Sequence, residues 1–412
     1  MLASIRGVDA ITFAKDRSVV AGSLTPAKIA DQDPGHRDNT VRRHAPRGSN
    51  KSSLGICQNP QSIFGKNHVT KIGLSTSGLW KQRHAVELLV GHKPNRFQLS
   101  SQRLDAVAGW GHKPTALRAR EMAAKHHLPY VAFEDGFLRS VRPGNEEKPI
   151  SLVVDRTGIY YDARQPSDLE CFVCRRFGKP IQNQKIHDAI DLIRSKRLSK
   201  YNRFDFSDIS ELCLQSSDRK DRVLVIDQTV GDASIPGAFA KDETFRQMLQ
   251  VAIQENREAE ILIKVHPETM IGRKAGHFTH EVLQALAQVD ESCAKALNEG
   301  RLRLTPEAIN PWPLLEACAK VYCVSSQLGF EAILAGCEVH TFGVPFYGGW
   351  GLTVERNPVK LNRRHPVSLE AVFAALYFDY SHYLEHDPVR EISFEEAVYQ
   401  LEERVQLARS EA

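Results

Sequence analysis

From Lys71 to the carboxyl end, short apolar runs alternate with stretches whose apolar residues recur every three or four positions. Alternating strand-like and helix-like periods predict repeated βαβ units, hence an α/β fold. In the first half the runs predict strands at Lys71–Ser75, Leu104–Ala108 and Tyr130–Phe133, with helices over Trp80–Val90, Thr115–His127, Ser167–Val173 and Lys185–Leu198. Ser151–Val154 and Ile159–Tyr161 flank Asp155-Arg156-Thr157-Gly158, a hairpin signal. The second half restarts with strands at Arg222–Ile226, Glu260–Val265, Arg301–Leu304, Val321–Val324 and Glu338–Phe342. Its helices are expected over Asp242–Asn256, His280–Leu297, Pro313–Ala319 and Gln327–Ala335, with Gly336 placed to end the last of these. Two closing helices are expected. One runs from Ser368 to about Leu384, and the other starts at a Ser393/Glu396 capping box and carries an apolar stripe from Phe394 to Ala408.

This spacing divides the chain. Residues 1–69 are rich in Arg, Lys, Asp, Asn, Ser and Gly without a sustained period, and read as a disordered extension or as a start codon placed too early. Residues 70–199 form a first Rossmann-like domain, 200–220 a polar linker, 221–365 a second Rossmann-like domain and 366–412 the closing helices. The full length is 412 residues, with 25% charged, 42% apolar and a net charge of +4, an ordinary globular composition. No dense Lys/Arg stripe with interleaved aromatics argues for nucleic acid. Cys171-x-x-Cys174 has no second pair at zinc spacing, and Cys318, Cys323 and Cys337 lie in apolar elements, so a reduced cytoplasmic setting fits. No apolar run is long enough to span a bilayer and no signal peptide is evident, while peripheral membrane association stays open.

Candidate chemistry collects where predicted strands end. Glu134-Asp135-Gly136, Asp227-Gln228, His266-Pro267 and Ser325-Ser326 each follow the carboxyl end of a strand. In open parallel sheets that end opens on the ligand crevice, and two such domains face to face bring all four loops to one cleft. Ser325-Ser326 also precedes a helix, whose free N–H groups and dipole favour a phosphate. Each loop has a plainer reading. Ser326 can simply cap the helix, Glu-Asp-Gly can be a solvated turn, and His-Pro can be structural. G-H-K-P at Gly91 and again at Gly111 is too short an echo to be a repeat. There is no G-x-G-x-x-G fingerprint and no P-loop, which ranks dehydrogenase and kinase readings low.

E-D-G, H-P and S-S, in this order, resemble the bacterial sialyltransferases of the GT-B type, which use CMP-activated sugars. The longer strings F-E-D-G-F-L-R-S, S-L-V-V-D-x-x-G-I-Y-Y-D, V-I-D-Q-T-x-G-D-A-S-I, K-V-H-P-E and P-F-Y-G-G-W-G-L-T resemble the capsule polysaccharide β-Kdo transferases of the KpsC type. The likeness runs from about Leu104 to Thr353. Larger members carry two such modules in tandem, and this chain has room for one.

The resemblance implies a GT-B fold, two Rossmann-like domains facing across a cleft. It implies retaining transfer of Kdo from CMP-β-Kdo to a lipid-linked glycan acceptor, in capsule biosynthesis and export at the inner membrane. In that reaction Ser325, Ser326, His266 and Pro267 would hold the CMP phosphate. Asp227, ending a buried strand in the phosphate-binding domain, would be the nucleophile of a double displacement. Glu134, from the facing domain, would be the acid/base, with Asp135 its rival. Arg139 and Lys264 are candidate cations for the Kdo carboxylate, with Gln228 beside them; ordinary paired or solvated side chains are the competing reading. Tyr347 and Trp350 could wall cytidine or sugar, or build a rigid packed turn. No D-x-D cluster is suggestively placed, so neither metal nor cofactor is expected. The alternatives are a glycosyltransferase with another CMP- or UDP-sugar donor, and an inert capsule export subunit.

Overall fold

The computed structural model describes residues 71–97, 104–144, 147–178, 183–203, 218–270, 272, 274–305 and 309–410. The extension expected over 1–69, most of the expected linker, and the side chain of Pro267 lie outside the described residues.

The strands are β1 (Ile72–Leu74), β2 (Asn95–Arg96), β3 (Ala106–Trp110), β4 (Tyr130–Asp135), β5 (Ser151–Asp155), β6 (Arg222–Ile226), β7 (Glu260–Lys264), β8 (Leu302–Leu304), β9 (Lys320–Cys323), β10 (Glu338–Thr341), β11 (Val354–Glu355), β12 (Ser381–His386) and β13 (Val389–Ile392). They build two sheets, one ordered β13-β12-β5-β4-β3-β1-β2 and the other β11-β10-β9-β6-β7-β8. The second sheet is parallel throughout. Its central strands are buried end to end, as continuous apolar runs such as Arg222–Ile226 require when helices cover both faces. In the first sheet β1 to β4 are parallel, and β5, β12 and β13 run antiparallel beyond them. One apolar cluster reaches across both sheets, from Phe137 and Tyr160 to Leu224, Phe330 and Phe346.

Three sequence expectations give way to packing. The hairpin after β5 does not form. The Asp155 carboxylate accepts the N–H groups of Thr157, Gly158 and Asp168 and the hydroxyl of Tyr380, which turns the chain away instead of back. The helix expected to reach Leu384 stops at Ala374, passes through a π-helical turn at Ala375–Tyr380, and becomes β12, because the edge of β5 is open to pairing there. The helix expected over His280–Leu297 is two helices, His280–Ala287 and Glu291–Asn298, the second capped by Asp290 accepting from the N–H of Cys293.

Candidate active site

Parallel strands deliver their carboxyl ends to one side, and both sheets turn that side toward a shared cavity of about 550 Å³. Lys113, Glu134, Asp135, Tyr160 and Tyr161 line it from the first sheet. Asp227, Gln228, Asp232, Ser234, Lys264, His266, Ser325 and Ser326 line it from the second, with Lys200 at the crossing between the two. The four loops singled out in the sequence therefore meet.

On the first wall, Glu134 ends β4 and is buried. Lys113 Nζ donates to its Oε1 at 3.0 Å, and its Oε2 has no hydrogen-bond partner among the described residues. Asp135 is held by Arg139, Nε to Oδ2 at 2.9 Å, and its Oδ1 is likewise unpartnered. Two buried oxygens without donors, one on each carboxylate, are the kind of orphan that a substrate hydroxyl can satisfy.

On the second wall, Ser325 N–H donates to Gln228 Oε1 at 2.9 Å, and Gln228 Nε2 donates to the hydroxyls of Ser325 (3.1 Å) and Ser234 (3.2 Å). The two serine hydroxyls lie 3.0 Å apart. Ser326 Oγ accepts the N–H of Leu328, the first residue of the helix Leu328–Leu334. Its carbonyl accepts the Tyr347 hydroxyl at 2.7 Å. His266 Nδ1 accepts the N–H of Glu268 at 3.1 Å, which leaves Nε2 to carry the proton of the neutral ring. Burial depresses its pKa, while Glu268 and Asp232 pull the other way.

Lys264 is the unusual cation of the cavity. It is buried, its ammonium donates among the described residues only to the Val265 carbonyl at 3.3 Å, and burial lowers its pKa to about 8. A buried ammonium without a carboxylate invites an anionic ligand. Lys200 has its pKa raised: burial works against the charge, but Tyr160, Tyr201, Asp135 and Glu134 outweigh it.

Three expected site residues, Arg139, Tyr347 and Trp350, sit outside the cavity lining. Arg139 does not line the cavity. It is spent on Asp135 and on the Ser140 hydroxyl at 2.8 Å. Tyr347 and Trp350 are core residues. The first bonds Ser326 from behind and the second donates its indole N–H to the Phe346 carbonyl, so Pro345 and Phe346 form the cavity wall. Asp227 borders the cavity, but its carboxylate is committed. Oδ1 accepts from the N–H groups of Gln228 (2.8 Å) and His277 (3.2 Å), and Oδ2 from that of Phe278 (3.4 Å).

Lys113, Tyr160, Lys200, Asp232, Ser234, Glu331 and Phe346 also line the cavity and were not singled out from the sequence. Lys113 stood in the repeated G-H-K-P, and Asp232 and Ser234 stood five and seven positions after Asp227 in one apolar-flanked string.

A family model described as capsule polysaccharide biosynthesis protein matches residues 105–383. The chain is similar to the capsule polysaccharide modification protein LipA of Neisseria meningitidis serogroup A, 41% identical over 288 residues, covering 68% of this chain and 38% of that one. It is also similar to the lipopolysaccharide-processing protein LpsZ of Rhizobium meliloti, 36% identical over 283 residues, 68% of this chain and 59% of that one. This chain thus spans well under two thirds of either relative. Among solved structures it is similar to the Thermosulfurimonas dismutans KpsC beta Kdo 2,4 transferase, with 36% identity, a TM-score of 0.69, and coverage of 81% of this chain and 98% of that one. The beta Kdo 2,7 transferase of the same organism shares the fold at 24% identity and a TM-score of 0.57, covering 82% of this chain and 99% of that one.

Proposed function

The chain belongs to the capsule polysaccharide biosynthesis family, and from that premise we propose that it is a retaining β-Kdo transferase, moving Kdo from CMP-β-Kdo to a lipid-linked glycan. The observation that carries this reading is the pairing of walls: an anion-receptive wall with Lys264, His266, Ser325 and Ser326, facing a wall with two half-unpartnered carboxylates, Glu134 and Asp135.

Each group then has a task. CMP leaves as an anion, so its departure needs charge stabilisation more than protonation. The Ser325–Ser326 turn and the Nε2–H of His266 supply donors to the phosphate. Lys264 meets the carboxylate of Kdo, which no neutral sugar would offer. Glu134 takes the proton of the acceptor hydroxyl, its free Oε2 being the acceptor site, with Asp135 the alternative. The leaving charge is met by protein groups, so this reading calls for no cofactor. Double displacement adds one requirement, a carboxylate on the donor wall that attacks the anomeric carbon, and both Asp227 and Asp232 border the cavity there. Among the described residues no helix is long and apolar enough to cross a membrane, and we place the enzyme peripherally on the inner membrane, where capsule assembly presents lipid-linked acceptors.

The test supplies purified protein with CMP-β-Kdo, generated in situ, and a synthetic lipid-linked Kdo acceptor. Mass spectrometry should show the acceptor gaining one Kdo, and NMR should show the β configuration. An acceptor extended from CMP-sialic acid or a UDP-sugar, but not from CMP-Kdo, overturns the donor assignment. No transfer from any donor favours the export-subunit alternative.

A further inference from the structure

A second cavity, of about 470 Å³, lies at the edge of the first sheet. Its walls come from the loop after β4 (Arg142, Glu147 and Lys148), from His386 at the end of β12, and from Arg404 and Leu407 of the helix Phe394–Ser410. Three cations thus face one carboxylate. Glu147 turns both oxygens to the backbone, accepting the N–H groups of Arg142 and Val141 at 3.0 Å each. Among the described residues, Arg142, Lys148 and Arg404 are paired with no acid. The Nε2–H of His386 donates to the Pro149 carbonyl at 2.7 Å. Burial lowers the pKa of that ring; the Pro149 bond opposes the shift, and Lys148 and Arg404 reinforce it. The histidine is therefore neutral at pH 7, and the cavity's charge is that of the three long side chains.

Topology places this cavity on the catalytic side of the sheet. β12 runs antiparallel to β5, and β5 antiparallel to β4, so β12 and β4 point the same way. His382 stands level with Leu152 and hence with Asp135, and His386 lies four residues further along. At ~3.3 Å per residue and ~4.8 Å per strand, His386 is on the order of 15 Å from Asp135, beyond the end of the sheet on which the catalytic cavity opens. One loop builds both places. Arg139 grips Asp135 at 2.9 Å, and its other nitrogens donate to the Ser140 hydroxyl at 2.8 Å and the Glu147 carbonyl at 3.4 Å. The Ser140 hydroxyl donates in turn to the Arg142 carbonyl at 2.7 Å.

We propose that this second cavity seats the phosphate of an anionic bilayer lipid, and so holds the protein on the membrane with the Glu134–Asp135 wall beside the surface. The proposal rests on the peripheral placement proposed above and gives that placement a surface. A phosphodiester in the cavity meets Arg142, Lys148 and Arg404, cations that the protein itself leaves unneutralised. Leu407 decides between a lipid and a soluble anion. It is 57% exposed and stands one helical turn after Arg404, on the same side of the helix. A leucine beside a cationic cavity suits the boundary between headgroups and acyl chains, and a soluble phosphate has no use for it. A zwitterionic head would bring its own cation into a cavity that already holds three.

The experiment is sedimentation of the full-length protein with phosphatidylcholine vesicles, with and without phosphatidylglycerol. Wild type should bind only the anionic vesicles, and less as salt rises. Arg142→Gln/Lys148→Gln/Arg404→Gln should weaken that binding by about a hundredfold, near fivefold for each cation. Leu407→Ser should weaken it several-fold, and both variants should melt close to wild type. Lys81→Gln/Lys125→Gln/Lys295→Gln removes the same charge from exposed positions on other helices and should bind as wild type does. Both cavity variants should transfer normally to a water-soluble acceptor glycan and poorly to an acceptor carried in anionic vesicles. Wild type that ignores phosphatidylglycerol, a triple cavity variant that sediments unchanged, or a control variant that weakens equally overturns the proposal. Inorganic phosphate that binds wild type tightly by calorimetry, with Leu407→Ser without effect on vesicles, makes this a soluble-anion site and overturns it too. Transfer to the soluble acceptor without vesicle binding removes the docking alone; vesicle binding through the cavity without transfer from CMP-Kdo removes the enzymatic reading alone.

Discussion

Lys264 turns a burial problem into a measurable pH dependence. Among the described residues its ammonium has one carbonyl for company, and burial brings its pKa down to about 8. The cation is the form that holds an anion, and the free protein keeps that proton below about pH 8 and loses it above. For the proposed donor, CMP-Kdo, kcat/KM should therefore fall as pH rises through about 8, since this ratio reports the free enzyme. Lys264→Met should remove that limb and raise the donor KM by roughly thirtyfold, the equivalent of about 2 kcal/mol for a charge-assisted bond. A pH limb that survives in the variant would assign it to another group. At this scale the sequence was legible where a strand delivers a residue: Glu134, His266, Lys264 and Ser325 all stand at or just past strand ends. It was opaque where packing chooses the direction. Nothing in P-F-Y-G-G-W-G says that Phe346 faces the cavity while Tyr347 and Trp350 face the core. Lys200 was hidden for another reason, since it opens a polar stretch that reads as linker.

The helix Leu328–Leu334 sits against the Tyr347 loop so tightly that Gly329 has no room for a Cβ, which would lie 2.0 Å from the Tyr347 hydroxyl and 2.8 Å from Cys323 Sγ. Gly329→Ala should cost about 1–3 kcal/mol, as overpacking does. It should also displace the hydroxyl that anchors the Ser326 carbonyl, so transfer should fall by more than the loss of folded protein explains. Tyr347→Phe in the same chain frees that space, and the double variant should melt closer to wild type than the sum of the single effects. Strict additivity in thermal melts would deny the coupling. Elements, too, were unevenly legible. The apolar strands β6, β7 and β9 and the capped helices announce themselves by period and by Ser or Asp at their starts. The π-helical turn and β12 do not. Ala371–Tyr380 keeps an apolar helical period, and only the unpaired edge of β5, a tertiary fact, converts the chain to strand.

At the level of the whole molecule, the two sheets are fastened around Glu331. This buried carboxyl on the second-sheet side accepts the Ser199 hydroxyl at 2.6 Å and the Gln327 amide at 3.2 Å, and Gln327 also donates to the Phe137 carbonyl at 2.8 Å. Arg363 and Arg364 add ion pairs to Glu170 at 2.6 and 2.7 Å. Burial raises the Glu331 pKa from 4.5 to about 7. The folded state thus keeps a proton that the unfolded chain has released. Stability from this group is full below about pH 4.5 and declines as pH rises toward 7, by no more than about 1.4 kcal/mol per pH unit. Glu331→Gln carries no charge to bury, so its melting temperature should gain on wild type between pH 5 and 7 and then hold a constant lead. A gap that stays flat across that range would mean the carboxylate is already ionised in the folded protein.

The return of the last strands to the first sheet fixes an order of events on the ribosome. All six strands of the second sheet have been made once residue 355 is out, whereas the first sheet, begun at β1, waits for β12 and β13, residues 381–392. The half synthesised first is therefore the half completed last. Until then β5 keeps a bare edge, which a nascent chain must shield from its neighbours.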